Sequence, residues 1–390
     1  MARGSGRIPQ LPALTAIRGL AAWWVVLYHF RENFPDYVPN VLMSVINRGY
    51  LGVDLFFELS GFVIALNYYD RFDRDLSLVR YGKFLLVRLA RVYPLHAFMM
   101  FVFIANPLAI WLFSSHRIES GAYGLGYFIL SLGLVQNWGF VDRLAWNIPA
   151  WSISTEWFVY LIFPIIVLVS ERFGRSKAVV GLAIGLLLSL LAVGGAIAGG
   201  LGADIPHFGL IRCVLEFAAG VLLFRMSAAL SHNGPALLPG ALAVVVFALY
   251  STFSPPDFAV VPLGFALLIA AIVPQSGLPA RLLSVRVIEQ IGLVSYSTYL
   301  LHFFVRDWVK FLMVSPGRQP LAPTLVYVAA TLIGSVVLYR LIEMPGRRAL
   351  RRLVERGGGT PVRSSGPLEA SPSGQTRMCA GARGRDVAAR

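Results

Sequence analysis

Leu14-Thr-Ala-Ile-Arg-Gly-Leu-Ala-Ala-Trp-Trp-Val-Val-Leu-Tyr-His-Phe30 carries Arg18 near its start, His29 at its end and no charge between them. In an α-helix, eleven steps of about 100° return to within about 20° of the starting direction. Both side chains then share one face, about 16 Å apart along the axis. A guanidinium is costly in hydrocarbon and an imidazole is a natural proton acceptor, so a stripe joining them marks a functional position. The bland alternative is an interfacial arginine and a satisfied core histidine.

The rest of the chain explains why this segment is a membrane helix. Of 390 residues, 57% are hydrophobic and only 14% charged, with a mean hydropathy of +0.68. Apolar runs fall near 13–30, 50–69, 84–106, 153–171, 178–200, 208–226, 236–253, 258–275, 289–313 and 323–343. These match the length a bilayer demands, so the expected fold is all-α, a polytopic transmembrane bundle of about ten spans. A weaker run at 123–140, Gly-rich and ending in Gln136, Asn137 and Trp138, either re-enters or adds an eleventh span.

Loop charges choose between those counts. With ten spans and both termini cytoplasmic, Arg71 to Lys83, Arg172 to Lys177, Arg225, Arg281, Arg286 and the tail all lie inside; an eleventh span sends Arg172 to Lys177 outside, against the positive-inside bias. The expected location is therefore the inner (cytoplasmic) membrane. Residues 1–12 read as a cytoplasmic segment, 13–348 as the membrane domain and 349–390 as a basic, disordered tail. From Gly346 onward the chain has ten arginines against three acids, too polar to bury a core. The net charge of +14 sits in loops and tail rather than in a stripe interleaved with aromatics, which disfavours nucleic-acid binding. Cys213 and Cys379 form no CxxC and no metal-ligand spacing, so neither a disulfide framework nor a zinc site is expected.

Several polar groups interrupt the spans. Asp54 and Glu58 stand one turn apart in Gly-Val-Asp-Leu-Phe-Phe-Glu-Leu-Ser-Gly-Phe; a helix N-cap is the alternative for Asp54. Arg88 and Arg91, three apart and followed by Pro94, form a fork suited to phosphate oxygens, or else two positive-inside anchors. In Asn147-Ile-Pro-Ala-Trp-Ser-Ile-Ser-Thr-Glu, Ser152 and Glu156 share a face beside Trp151, able to orient a base or a polar substrate, or alternatively to cap the helix. Ser295-Tyr-Ser-Thr-Tyr-Leu-Leu-His places His302 inside a late span near Tyr299. It ranks below His29 as a base, having no local acid or base partner. Glu343-Met-Pro closes the last span.

Taken in order, these motifs resemble the integral-membrane acyltransferase family three, which includes O-acetyltransferases of O-antigen, exopolysaccharide and other surface glycans. The resemblance rests on Arg18-x10-His29, Gly52 to Phe62, Arg88-x-x-Arg91-x-x-Pro94, Trp151-Ser152 with Glu156, Ser295-Tyr296 with His302, and Glu343-Met-Pro345, and covers residues 10 to 348. It implies an acyl-CoA donor at the cytoplasmic side, an acceptor hydroxyl outside, and His29 as the catalytic residue.

The expected activity is acyl transfer, acetyl first among candidates, from acyl-CoA to a glycan or lipid-linked sugar hydroxyl in a membrane-lipid setting, with no permanently bound cofactor. His29 acts as general base or carries the acyl group; Asp54 or Glu156 orients it; Arg88, Arg91 and Arg18 hold the donor; Ser152, Trp151, Glu58, His302 and Tyr299 hold or orient the acceptor. The rival is a transporter or flippase of lipid-linked glycan, using the same charges as an ion pathway. No two halves with matched interrupted helices are visible in its favour.

Overall fold

A peptide backbone in hydrocarbon must bond its N–H and C=O groups within its own segment, so spans close as helices. The computed structural model describes residues 11–73, 76–113, 121–174, 176–228, 237–274, 277–314 and 321–356, and among these there are helices and no strand. In chain order they are α1 (Pro12–Phe30), α2 (Asn40–Asn47), α3 (Gly52–Tyr68), α4 (Leu78–Val102), α5 (Ala105–Phe113), α6 (Leu125–Leu132), α7 (Trp151–Glu171) and α8 (Lys177–Ala198). There follow α9 (Ile205–Ala228), α10 (Leu237–Phe253), α11 (Asp257–Ile272), α12 (Leu278–Leu283), α13 (Arg286–Leu293), α14 (Ser295–Met313), α15 (Leu321–Leu338) and α16 (Met344–Arg356). A π-helical turn, Tyr339–Glu343, joins α15 to α16.

Seven helical stretches among the described residues are long and apolar enough to cross a membrane, and α10 and α11 are apolar but shorter. With α10, α11 and α14, whose Arg306, Asp307 and Lys310 lower its hydropathy, a helix lies on each of the ten apolar runs of the sequence, seven of them in stretches long enough to cross a membrane. Their outer faces are greasy: Leu182 is 75% exposed and Ile197 84%. Hydrocarbon is the environment in which such a surface is stable.

Three boundaries differ from the sequence reading. Within 123–140 only Leu125–Leu132 is helical, about 12 Å of helix and too short to span. Its polar end turns inward, where Gln136 Nε2 donates to Ala150 O at 3.0 Å and Asn137 Nδ2 to Ile205 O at 3.2 Å. The span expected at 289–313 begins at Ser295, because the chain breaks at Val294 between α13 and α14. The boundary drawn at 349 falls inside α16, so the segment read as tail is helical to Arg356; the tail beyond it, like residues 1–10, lies outside the described residues. Gly346 permits this docking, since a Cβ there would sit 2.6 Å from Pro94 Cβ in α4.

The pairing of α1 with α14 positions the site. Arg18 Nη2 donates to Ser295 Oγ at 3.4 Å, and His29 meets His302 further along both helices. The two helices therefore run parallel. The face shared by Arg18 and His29 on α1 is the face turned to α14.

Candidate active site

His29 stands in the last turn of α1, where its Nδ1 lies 2.9 Å from Val25 O, one turn back on the same helix. The Nδ1 of His302 lies 2.7 Å from Tyr299 O. A carbonyl oxygen only accepts, so each Nδ1 carries its ring's proton in the neutral state. His302 Nε2 is then a lone pair, and it faces His29 Nδ1 at 3.3 Å. One proton, on His29 Nδ1, is shared between the Val25 carbonyl and His302. The other nitrogen of His29, Nε2, is left basic. Tyr28 and Phe303 meet the His29 ring edge-on at 5.1 and 5.5 Å, which fixes its plane.

Tyr299 extends this array. Its ring lies 5.7 Å from that of His302, and its hydroxyl pairs with Ser152 Oγ at 2.9 Å while donating to Pro149 O at 3.1 Å. Of the residues singled out in the sequence, the structure thus brings together His29, His302, Tyr299 and Ser152. The low rank given to His302 for want of a partner is corrected: its partner is His29, supplied by another helix. Capping does not explain Ser152, whose hydroxyl turns back to Pro149 O at 3.1 Å, and α7 has no side-chain cap.

Asp54 and Glu156 do not orient His29. Glu156 Oε1 accepts from both Ser60 Oγ and Tyr160 Oη at 2.5 Å. Asp54 is fully buried and takes a bidentate fork from Arg212, Nε to Oδ1 at 2.7 Å and Nη2 to Oδ2 at 2.5 Å. A buried carboxylate needs a partner, and the planar guanidinium in α9 occupies both of its oxygens. Arg212 Nη1 also donates to Leu201 O at 2.5 Å, and its Nε lies 3.8 Å from Glu216 Oε1. Both carboxylate oxygens of Glu58 are buried without a hydrogen-bond partner, as are those of Glu216. Trp151 walls this cluster, its ring 5.8 Å from the Arg212 guanidinium carbon. The close approach of α3 and α9 depends on glycine: a Cβ at Gly220 would sit 2.0 Å from Glu58 O. Arg212 and Glu216 escaped the sequence reading, although an arginine and a glutamate four apart inside an apolar span were a visible signal.

A cavity runs between these groups, lined by Arg18, Arg88 and Arg91 together with Ser60, Glu156, Ser152 and Tyr299. The arginines from α1 and α4 share it with the hydroxyl pair that adjoins His302. Arg88 lies over the Tyr68 ring at 4.7 Å, and its Nε is buried without a partner. The docked α16 brings Arg347 within electrostatic reach of Arg88, Arg91 and Glu343. Arg347 lies in the basic stretch from Gly346 onward, and only the packing of α16 on α4 reveals its neighbours. Such a concentration of guanidinium groups favours a polyanion. Among the described residues no group of His, Cys, Asp and Glu side chains is arranged to hold a metal ion.

Comparison with known proteins bears on what this arrangement does. A family model described as an acyltransferase domain matches residues 11–340. Acyltransferase MdmB of Streptomyces mycarofaciens is 26% identical, over 89% of this chain and 94% of that protein. A Staphylococcus aureus protein named "Putative O-acetyltransferase" is 23% identical over 88% of this chain and 58% of its own length. One of Bacillus subtilis, named "Putative peptidoglycan O-acetyltransferase YrhL", is 26% identical over 86% of this chain and 55% of its own. The chain therefore spans nearly all of the first relative and little more than half of the other two. No solved structure matches it. The match across residues 11–340, over a helical membrane bundle that pairs His29 with His302, makes this chain a member of the acyltransferase family and an acyltransferase.

Proposed function

We propose that the protein transfers an acyl group, acetyl, from the thioester of a cytoplasmic acyl-CoA to a hydroxyl of a glycan or lipid-linked sugar on the far side of the membrane. The single observation that carries this reading is that the histidine pair adjoins Tyr299, which lines a cavity shared with Arg18, Arg88 and Arg91. The guanidinium groups take the donor phosphates, Arg88 and Arg91 as a fork from one turn of α4 and Arg18 deeper in. Positive loops at this end, among them Arg71, Arg172 and Arg281, support a cytoplasmic location for it. The acetyl acceptor chemistry is that named for two of the relatives.

His29 Nε2 removes the acceptor's hydroxyl proton as that oxygen attacks the thioester carbonyl carbon. The C–S bond breaks, and the thiolate takes the proton back from the imidazolium to leave as the free thiol. On the alternative route Nε2 attacks the thioester carbonyl first, the C–S bond breaks and the CoA thiolate leaves, and the acceptor hydroxyl then displaces the imidazole from the acyl carbon, its proton passing to the thiolate. His302 acts through His29 in both, as a positioning residue that holds the Nδ1 proton. The test is transfer of radiolabelled acetyl from acetyl-CoA to glycan by the purified protein in vesicles. Covalent product supports the reading; movement of intact glycan across the vesicle without acyl transfer refutes it.

A further inference from the structure

Ser152, Glu156 and Tyr160 of α7 follow one another at four-residue steps, so they share one face of the helix, about 12 Å from first to last. All three line the cavity that holds Arg18, Arg88 and Arg91. Their neighbours change along it. Ser152 meets Tyr299, whose ring adjoins that of His302. Glu156 lies within electrostatic reach of Arg18, and Tyr160 within reach of Arg88. The face therefore leads from the arginines to the hydroxyl pair beside the histidines, with Glu156 midway.

Glu156 has one oxygen in use and one to spare. Its Oε1 accepts from Ser60 Oγ and Tyr160 Oη, both at 2.5 Å, and among the described residues no group donates to Oε2. Arg18 turns its guanidinium to Ser295 Oγ instead. While Thr155 and Tyr160 on either side are buried, Glu156 keeps part of its surface open. The wall around it is largely apolar, with Phe56, Leu59, Val63 and Ile153. Nearby hydroxyls send their protons into the protein, Tyr296 to Val92 O at 2.6 Å and Tyr299 to Pro149 O at 3.1 Å. An N–H group brought here from water loses its hydration and needs an acceptor. Glu156 supplies one that is charged and held in direction by two hydroxyls.

We propose that Glu156 recognises the arm of the donor, its Oε2 accepting a hydrogen bond from an amide N–H of the pantetheine chain of acyl-CoA. Coenzyme A joins its phosphates to its sulfur through a linear arm that carries two secondary amides. With the phosphates at Arg88 and Arg91, an arm directed to the histidines passes Glu156, and the bond fixes how far the thioester reaches toward Tyr299 and His302. Glu156 thus positions the donor and takes no part in the proton transfer. The proposal rests on the acyl-transfer reading and deepens it by naming a part of the donor, apart from its phosphates, that the protein reads.

The test is competition against labelled acetyl-CoA for the protein in vesicles. The competitors are acetyl-CoA and two analogues, each with one arm amide replaced by an ester, which keeps the length of the arm and removes one N–H. At least one analogue is expected to bind the wild type tenfold or more weakly than acetyl-CoA does. In Glu156→Gln the amide oxygen stays with the two hydroxyls and the NH₂ faces the cavity. That variant is expected to bind acetyl-CoA at least tenfold more weakly and to lose the penalty against the analogue, a coupling that a purely structural role for Glu156 does not produce. Equal binding of all three competitors by the wild type overturns the proposal without any variant. A full analogue penalty in Glu156→Gln overturns it too, or in Glu156→Asp, which withdraws the carboxylate by one methylene, should the glutamine protein not fold. Wild-type protein that shows the analogue penalty yet forms no acetylated product refutes the acyl-transfer reading and leaves the donor site standing; absence of acetyl-CoA binding overturns both.

Discussion

Removing His302 and His29 singly and together separates their roles. General-base removal costs about 10² to 10⁴ in rate, or about 3–5 kcal/mol at 1.36 kcal/mol per decade. That is the expectation for His29→Ala. The link from His302 to His29 is weaker, 3.3 Å long and shared with the nearer Val25 carbonyl at 2.9 Å. Loss of one such neutral hydrogen bond is worth about 0.5–1.5 kcal/mol, so His302→Ala should slow transfer about two- to tenfold. Because His302 acts only through His29, the double variant should be no slower than His29→Ala. His302→Gln, which keeps an acceptor near Nε2, should recover rate, whereas His302→Leu, similar in bulk but without an acceptor, should behave as the alanine variant does. Initial rates of labelled acetyl transfer in vesicles, at saturating acetyl-CoA, give all five values. Two outcomes refute the reasoning: a His302→Ala loss as large as that of His29→Ala, or losses that multiply in the double variant. Either makes His302 an independent participant in the proton transfer.

Replacing Arg88 and Arg91 together by Lys keeps the charge and removes the fork, so the KM for acetyl-CoA should rise about tenfold with insertion unchanged; an unchanged KM removes both from the donor site. Arg212→Met leaves Asp54 buried beside Glu58 and Glu216 without its cation, which should cost about 3–5 kcal/mol in detergent unfolding, and adding Asp54→Asn should restore part of it; a cost below about 1 kcal/mol would mean the fork contributes little. For topology, a cysteine at Asp142, whose side chain is 95% exposed, should react with an impermeant reagent from outside, and one at exposed Ser176 only after permeabilisation, in a Cys379→Ser background. Reaction of Ser176→Cys from outside would reverse the orientation. Asn147, buried at 2%, should stay unlabelled from either side.

Length, hydropathy and the eleven-residue spacing of Arg18 and His29 are properties of single helices, and a sequence states them directly. That is why the apolar helices and the face that Arg18 shares with His29 were legible before any coordinates, and why the fork at Arg88 and Arg91 could be read as one turn of helix. Partnership between helices is a different kind of fact. Asp54 looked available to His29 because nothing local claimed it, yet Arg212, 158 residues away, takes both its oxygens. His302 looked isolated because its partner lies 273 residues away. Arg347 comes within electrostatic reach of Arg88 and Arg91 because Gly346 lets α16 seat on Pro94. Side-chain periodicity fixes which face a residue occupies, but the neighbour across that face is set by helix packing, where close-approach glycines and buried charge pairing select one arrangement among many that share the same hydrophobic pattern.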